Sequence, residues 1–170
     1  MECIESIKTR ASVKLYKDKE VSDELISEIL AAGMAAPSAR NLKPYRIVVI
    51  KNRELLNALA ALSPSKKMLE KAPICIVIIG NLDIMPDTNY IIQDCSAVTE
   101  NILIATHSLG LGGCWLGITP NTPGFYNEVA KLLNCSDKDY IVSLVVIGYP
   151  GSEFKPKDDR YTKTSVTYIK

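Results

Sequence analysis

The chain has 170 residues but only one histidine, one tryptophan and two phenylalanines. Five cysteines stand at 3, 75, 95, 114 and 135, and no two are close enough for a Cys-x-x-Cys pair. His107 has no nearby cysteine, so the spacing of a zinc site or a thioredoxin-like redox pair is missing. No apolar run approaches the roughly 18 residues that cross a bilayer. The opening residues, Met1 to Glu5, are acidic and lack the apolar core of a signal peptide. An excess of one charge is also missing: Lys plus Arg is 20, Asp plus Glu is 19, and the net charge is +1. That balance removes the bulk electrostatic argument for a nucleic-acid or membrane partner and leaves only local basic sites. Repeats, low-complexity tracts and linkers are lacking, so residues 1–170 read as a single domain.

Hydrophobic residues make up 47% and charged residues 23%, a globular composition that can bury a core without disulfides or metal. Scattered cysteines without a secretion signal read as reduced thiols in a cytoplasm, with at least four of them acting as small buried hydrophobes.

Cys3 to Thr9 is a short helix candidate with Ile4 and Ile7 on one face. Ser22 caps a second helix, with Asp23 and Glu24 in its first turn and Leu25, Ile26, Ile29, Leu30 and Gly33 at helical spacing. Pro37 closes it. Tyr45 to Ile50 is a β-rich run. Asn52 caps a helix to about Leu62, and Lys66 to Lys71 forms a further turn closed by Pro73. Ile74 to Ile79 is continuously apolar, as in a strand buried on both faces. Asn89 to Leu109 is a long helix stopped by Gly110-Leu111-Gly112-Gly113. Cys114 to Ile118 is extended, and Thr122 caps a helix to Leu133 with Pro123 in its first position. Tyr140 to Tyr149 is a second buried strand. This order fits an α/β or α+β layered domain around one sheet. The long helix is apolar over more of its circumference than one sheet face covers, which suits either a subunit interface or a wholly buried core helix.

The stretch Leu109 to Gly113 is glycine-rich but follows a helix and precedes an extended piece, the reverse of a dinucleotide-binding turn. It reads as a helix stop, or as backbone that can approach a flat ligand. Arg10, Ser12 and Lys14 set two cations and a hydroxyl within five residues. A phosphate takes such a set, and so does a solvated surface. Ala36 to Asn41 reads as a helix end and a polar turn.

Three segments in this order, R-A-S-V-K-L-Y (10–16), A-P-S-A-R-N-L-K-P-Y (36–45) and E-N-I-L-I-A-T-H-S-L-G-L-G-G-C-W-L-G (100–117), resemble the FMN-dependent nitroreductase family. The strand I-V-S-L-V-V-I-G-Y-P and the late Arg160 complete the likeness over nearly the whole chain. The resemblance implies an α+β fold, a three-layer sandwich whose central mixed sheet is flanked by helices. It also implies an intertwined homodimer with two FMN sites at the subunit interface. The implied activity is reduction of nitroaromatics, quinones or similar small-molecule acceptors with NAD(P)H, through flavin N5 in a ping-pong scheme. Neither a metal nor a dedicated acid–base side chain is implied.

By the same resemblance Arg10, Ser12 and Lys14 hold the FMN phosphate and Arg160 closes that site. Pro37, Ser38, Ala39 and Asn41 border the ring of the partner's flavin. Lys67 faces the pyrimidine edge, where a cation favours a developing N1 anion. Main-chain N–H groups in Leu116, Gly117 and Ile118 reach N5. Ala11, Lys43, Tyr45 and Pro64 depart from common family residues, and Asn81 to Asn89 leaves no room for the helical lid of larger relatives. An open pocket with broad acceptor use follows. A flavin-binding or sensory dimer, or another flavin enzyme on the same scaffold (a dehalogenase, a flavin-fragmenting enzyme, a dehydrogenase), is the alternative. His107 reads as structural or surface, Trp115 as a core anchor, and Cys114 as a thiol without a base partner.

Overall fold

The computed structural model describes residues 2–152 and 162–169. Among them the elements run α1 (Cys3–Thr9), α2 (Asp23–Met34), β1 (Tyr45–Ile50), α3 (Arg53–Ala61), β2 (Ile74–Asn81), α4 (Thr88–Ser108), β3 (Gly112–Gly117), α5 (Pro123–Leu132) and β4 (Asp139–Gly148). Short 3-10 turns cover Ala39–Asn41, Pro64–Glu70 and Lys163–Ser165. Ser22 and Asn52 cap α2 and α3 by accepting the N–H groups of Leu25 and Leu55. Asp87 caps α4 by accepting the N–H of Asn89 at 2.9 Å. Thr122 makes no side-chain cap; its hydroxyl donates instead to the carbonyl of Thr119. Pro123 does begin α5, where a missing N–H costs nothing.

The sheet order is β1-β2-β4-β3, and each neighbouring pair is antiparallel. The parallel element of the expected mixed sheet is, among the described residues, a bridge between Ser12 and Gly113. β2 and β4 lie at the centre, and their two faces look into two separate cores. Cys75, Val77, Ile79, Leu144 and Val146 pack with α3 and α5, whereas Ile74, Ile76, Ile78, Val145 and Ile147 pack with α2 and α4. Apolar runs without alternation therefore follow from helices on both sides, giving three layers. A register shift at Ile78/Ile79 makes Val142 an extra residue. Beside it, the Ser143 hydroxyl meets Thr99 of α4 at 2.7 Å, both buried.

α4 is neither free nor wholly buried. Ile91, Cys95, Val98 and Ile102 are covered, while Tyr90 and Ile92 on the other side are exposed. On α1 the inward residue is Ser6, whose hydroxyl donates to the Ile104 carbonyl, and Ile4 and Ile7 face outward. Three cysteines are buried, Cys135 is half-buried and Cys3 is exposed, one fewer buried thiol than expected. Cys3 sits on the solvent side of α1, and Cys135 lies after α5 beside Arg46. No described helix is long and apolar enough to cross a membrane.

Candidate functional site

β3 is an edge strand, paired with β4 on one side. The segment after α1 runs along its other side. There the Val13 N–H donates to the Gly113 carbonyl at 3.0 Å, beside the Ser12–Gly113 bridge. This approach depends on glycine: a Cβ on Gly112 would lie 2.7 Å from Val13. The glycine run thus divides its work. Gly110, at φ 77°, ends the helix, and Gly112 and Gly113 already belong to the strand. Further along, the Gly151 N–H donates to the Leu15 carbonyl and the Lys17 N–H to that of Tyr149. The buried Tyr16 hydroxyl lies 2.6 Å from the Val13 carbonyl oxygen and 3.1 Å from that of Val146. Burial pushes its pKa up.

Arg10, Ser12 and Lys14 are brought together on this edge, around Cys114. Burial pushes the Cys114 thiol up, and the nearby Lys14, Ser12, Lys66 and Arg10 act against it. The thiol therefore reads as buried packing beneath a cationic, hydroxyl-bearing surface. The Arg10 Nε stands 3.3 Å from Glu100 Oε1 of α4. Ser12 and Lys14 are exposed.

Of the two lysines in the Pro64–Glu70 turn, Lys66 points inward. Its ammonium lies 5.1 Å from the centre of the Phe125 ring, and burial lowers its pKa. Lys67 is exposed. Leu116 is buried in the α3/α5 core, Gly117 is exposed with open space where a Cβ would be, and Ile118 is buried. On the α4 side, Trp115, Gly117, Ile118, Ile92 and Tyr140 line a pocket of about 350 Å³. Trp115 is thus half core anchor and half pocket wall. Arg160 lies outside the described residues.

The Pro37–Asn41 segment is held elsewhere, against α4. Pro37 is exposed, and the Ser38 Oγ accepts the Lys43 N–H at 2.9 Å. The Ala39 N–H donates to Asp94 Oδ1 at 2.9 Å. Arg40 and Asn41 have φ of 54° and 55°, and Lys43 has 49°. Three left-handed non-glycine residues within four mark a turn held in an uncommon backbone conformation.

Glu100, Lys66 and Asp94 were not legible as site neighbours. Asp94 had a signal, since a carboxylate breaks the apolar stripe of Ile91, Cys95 and Val98. His107 is half-buried on α4 and packs against α1. The Thr9 hydroxyl lies 2.7 Å from the Glu5 carbonyl oxygen and 2.8 Å from the His107 Nε2, which ties α1 to α4. Burial, and next the Arg10 charge, lower the pKa of the ring.

A three-layer α+β domain with a cationic strand edge and a strained turn defines a class, and the comparisons identify it. The model of the nitroreductase family matches residues 7–66 and 63–149. A protein of Archaeoglobus fulgidus, provisionally named NADH dehydrogenase/NAD(P)H nitroreductase, is 38% identical over 164 residues, 94% of this chain and 93% of its own. One of the same provisional name from Methanothermobacter thermautotrophicus is 35% identical over 93% of this chain and 82% of its own. Among solved structures, an FMN-dependent nitroreductase of Clostridium difficile superposes with a TM-score of 0.87 at 27% identity, covering 98% of both chains. A Desulfovibrio desulfuricans protein, provisionally named a nitroreductase and solved in complex with FMN, gives 0.84 at 26% identity, over 100% of this chain and 97% of its own. The chain belongs to the nitroreductase family.

Proposed function

We propose that the chain is an FMN-dependent oxidoreductase that works as a homodimer and reduces nitroaromatic, quinone or similar acceptors with NAD(P)H. The observation that carries this reading is that the segment bearing Arg10, Ser12 and Lys14 runs along the outer edge of a glycine-bearing strand, in a member of this family. The donor set fits a phosphate: a guanidinium, an ammonium and a hydroxyl of different reach. Lys66 adds a cation beside the same strand. When bound, FMN supplies a ring nitrogen, N5, that takes a hydride and gives it up again.

The chain's own residues then do the holding and orienting. Arg10 and Lys14 offset the phosphate charge, Ser12 donates to it, and Arg160 closes the site from the C-terminal side. Lys67 stands ready to stabilise negative charge at the pyrimidine edge. Main-chain N–H groups among Leu116, Gly117 and Ile118 orient the N5 edge. Pro37, Ser38, Ala39 and Asn41 border the partner's ring. Donor and acceptor share one open pocket in turn, which gives ping-pong kinetics. The outward Ile4 and Ile7 of α1, and Tyr90 and Ile92 of α4, supply apolar surface for the second copy.

The test is an absorbance spectrum of the purified protein after incubation with FMN, followed by anaerobic titration with NADH and NADPH and turnover with a quinone and a nitrofuran. A yellow dimer that either nicotinamide bleaches, and an acceptor recolours, is expected. Colourless monomer that takes up no FMN refutes the reading. A yellow dimer that NAD(P)H does not bleach supports a binding module instead.

A further inference from the structure

Asp94 lies on the apolar face of α4 and is 6% exposed, although carboxylates are costly to bury. Its Oδ1 accepts the Ala39 N–H at 2.9 Å, while its Oδ2 is buried with no hydrogen-bond partner among the described residues. As a stabiliser of the core this is a poor choice, because an apolar side chain would fill the place without an unpaired oxygen. What only an acceptor can do here is orient the Ala39 N–H.

That N–H belongs to the turn with three left-handed residues, Arg40, Asn41 and Lys43. Local bonds shape the turn: Asn41 N–H to the Ser38 carbonyl, Leu42 N–H to the Ala39 carbonyl, and Lys43 N–H to the Ser38 Oγ. The bond to Asp94 spans 55 residues and ties the turn to α4. Local bonds set its curvature; the carboxylate sets where it stands relative to the body of the domain. A strained turn keeps its shape only where such constraints over-determine it.

We infer that Asp94 is a positioning residue for flavin-ring recognition: from α4 it fixes the Ser38–Lys43 turn in the place where that turn borders the ring. The inference rests on the cofactor reading given above. It separates two parts of the ligand. The phosphate belongs to Arg10, Ser12 and Lys14, and the ring edge belongs to the turn that Asp94 holds.

The experiment titrates the full-length apoprotein with FMN and with riboflavin, which shares the ring and lacks the phosphate. Wild type is expected to prefer FMN by a ratio that measures the phosphate contacts. In Asp94→Ala both ligands should weaken about tenfold, equivalent to ~1.4 kcal/mol, with the ratio unchanged. Asp94→Asn keeps an acceptor for the Ala39 N–H and should stay within about twofold of wild type. Ala39→Pro removes the donor and leaves α4 untouched. Ser38 before it is already extended at φ −139°, ψ 155°, as a residue preceding proline must be. It should weaken both ligands as Asp94→Ala does, and the double variant should be no weaker than Asp94→Ala alone. If Asp94→Ala does not fold, Ala39→Pro carries the same test. Wild-type affinity for both ligands in Asp94→Ala and Ala39→Pro, additive losses, or a loss confined to FMN would overturn the inference. Wild-type protein that binds neither ligand overturns the cofactor reading itself, and this is seen before any variant is measured.

Discussion

Replacing Gly112 with alanine probes the join between fold and site. The new Cβ would meet three atoms of Val13 at 2.7, 2.7 and 2.8 Å, inside any normal contact. Val13 is held by its N–H bond to Gly113, with Ser12 bridged beside it, so neither side of the clash is a free side-chain tip. Either β3 or the Arg10–Lys14 segment has to move. Overpacking of this kind costs about 1–3 kcal/mol, and the loss of the Val13 bond adds about 1 kcal/mol. At roughly 2–4 °C per kcal/mol for a chain of this length, the melting temperature should fall by roughly 5–15 °C. FMN affinity should fall with it, by about tenfold, because Arg10 and Lys14 leave their positions. The assay is thermal unfolding by circular dichroism together with FMN titration. Gly124→Ala is the control, since a Cβ there meets nothing within 4 Å, and it should be neutral or slightly stabilising. A Gly112→Ala protein that melts and binds FMN like wild type would refute the claim that glycine permits the approach.

Arg10→Ala should weaken FMN roughly 10- to 100-fold through loss of a charged contact; ultrafiltration that leaves wild-type flavin on the variant would contradict the phosphate assignment. Thr99→Val leaves the buried Ser143 hydroxyl unsatisfied and should cost about 1–3 kcal/mol in urea unfolding. Adding Ser143→Ala should recover part of that loss, and strictly additive effects would argue against the pairing. The His107 pKa is lowered in the folded state, so the unfolded chain binds more protons. Its contribution is therefore complete above the ordinary histidine pKa of about 6.5 and is lost as pH falls below it. His107→Gln should flatten the decline in melting temperature between about pH 7 and 5, and an unchanged slope would show that another group controls it.

Helix and strand positions were largely legible because they are local. Ser22 and Asn52 cap their helices through bonds that span three residues, and the apolar runs of β2 and β4 mark strands covered on both sides. That Arg10, Ser12 and Lys14 form a cluster of two cations and a hydroxyl was legible for the same reason, since the chain itself sets those residues close together. Periodicity gave no such guidance for α1, where Ile4 and Ile7 share a face that the single chain leaves in solvent. Nor could it decide between Lys66 and Lys67, because adjacent residues of a turn differ only in which way the packed body rotates them.

From the order of its residues alone, this chain determines its elements, its apolar strands and the chemistry available within each short segment. Tertiary structure alone decided that Ser12 meets Gly113, that Arg10 meets Glu100 and that Asp94 reaches across to Ala39. The physical reason is distance along the chain. A side chain's polarity and spacing record whether it faces water or protein, but not which protein group it faces, and that is settled only when the three layers close on one another.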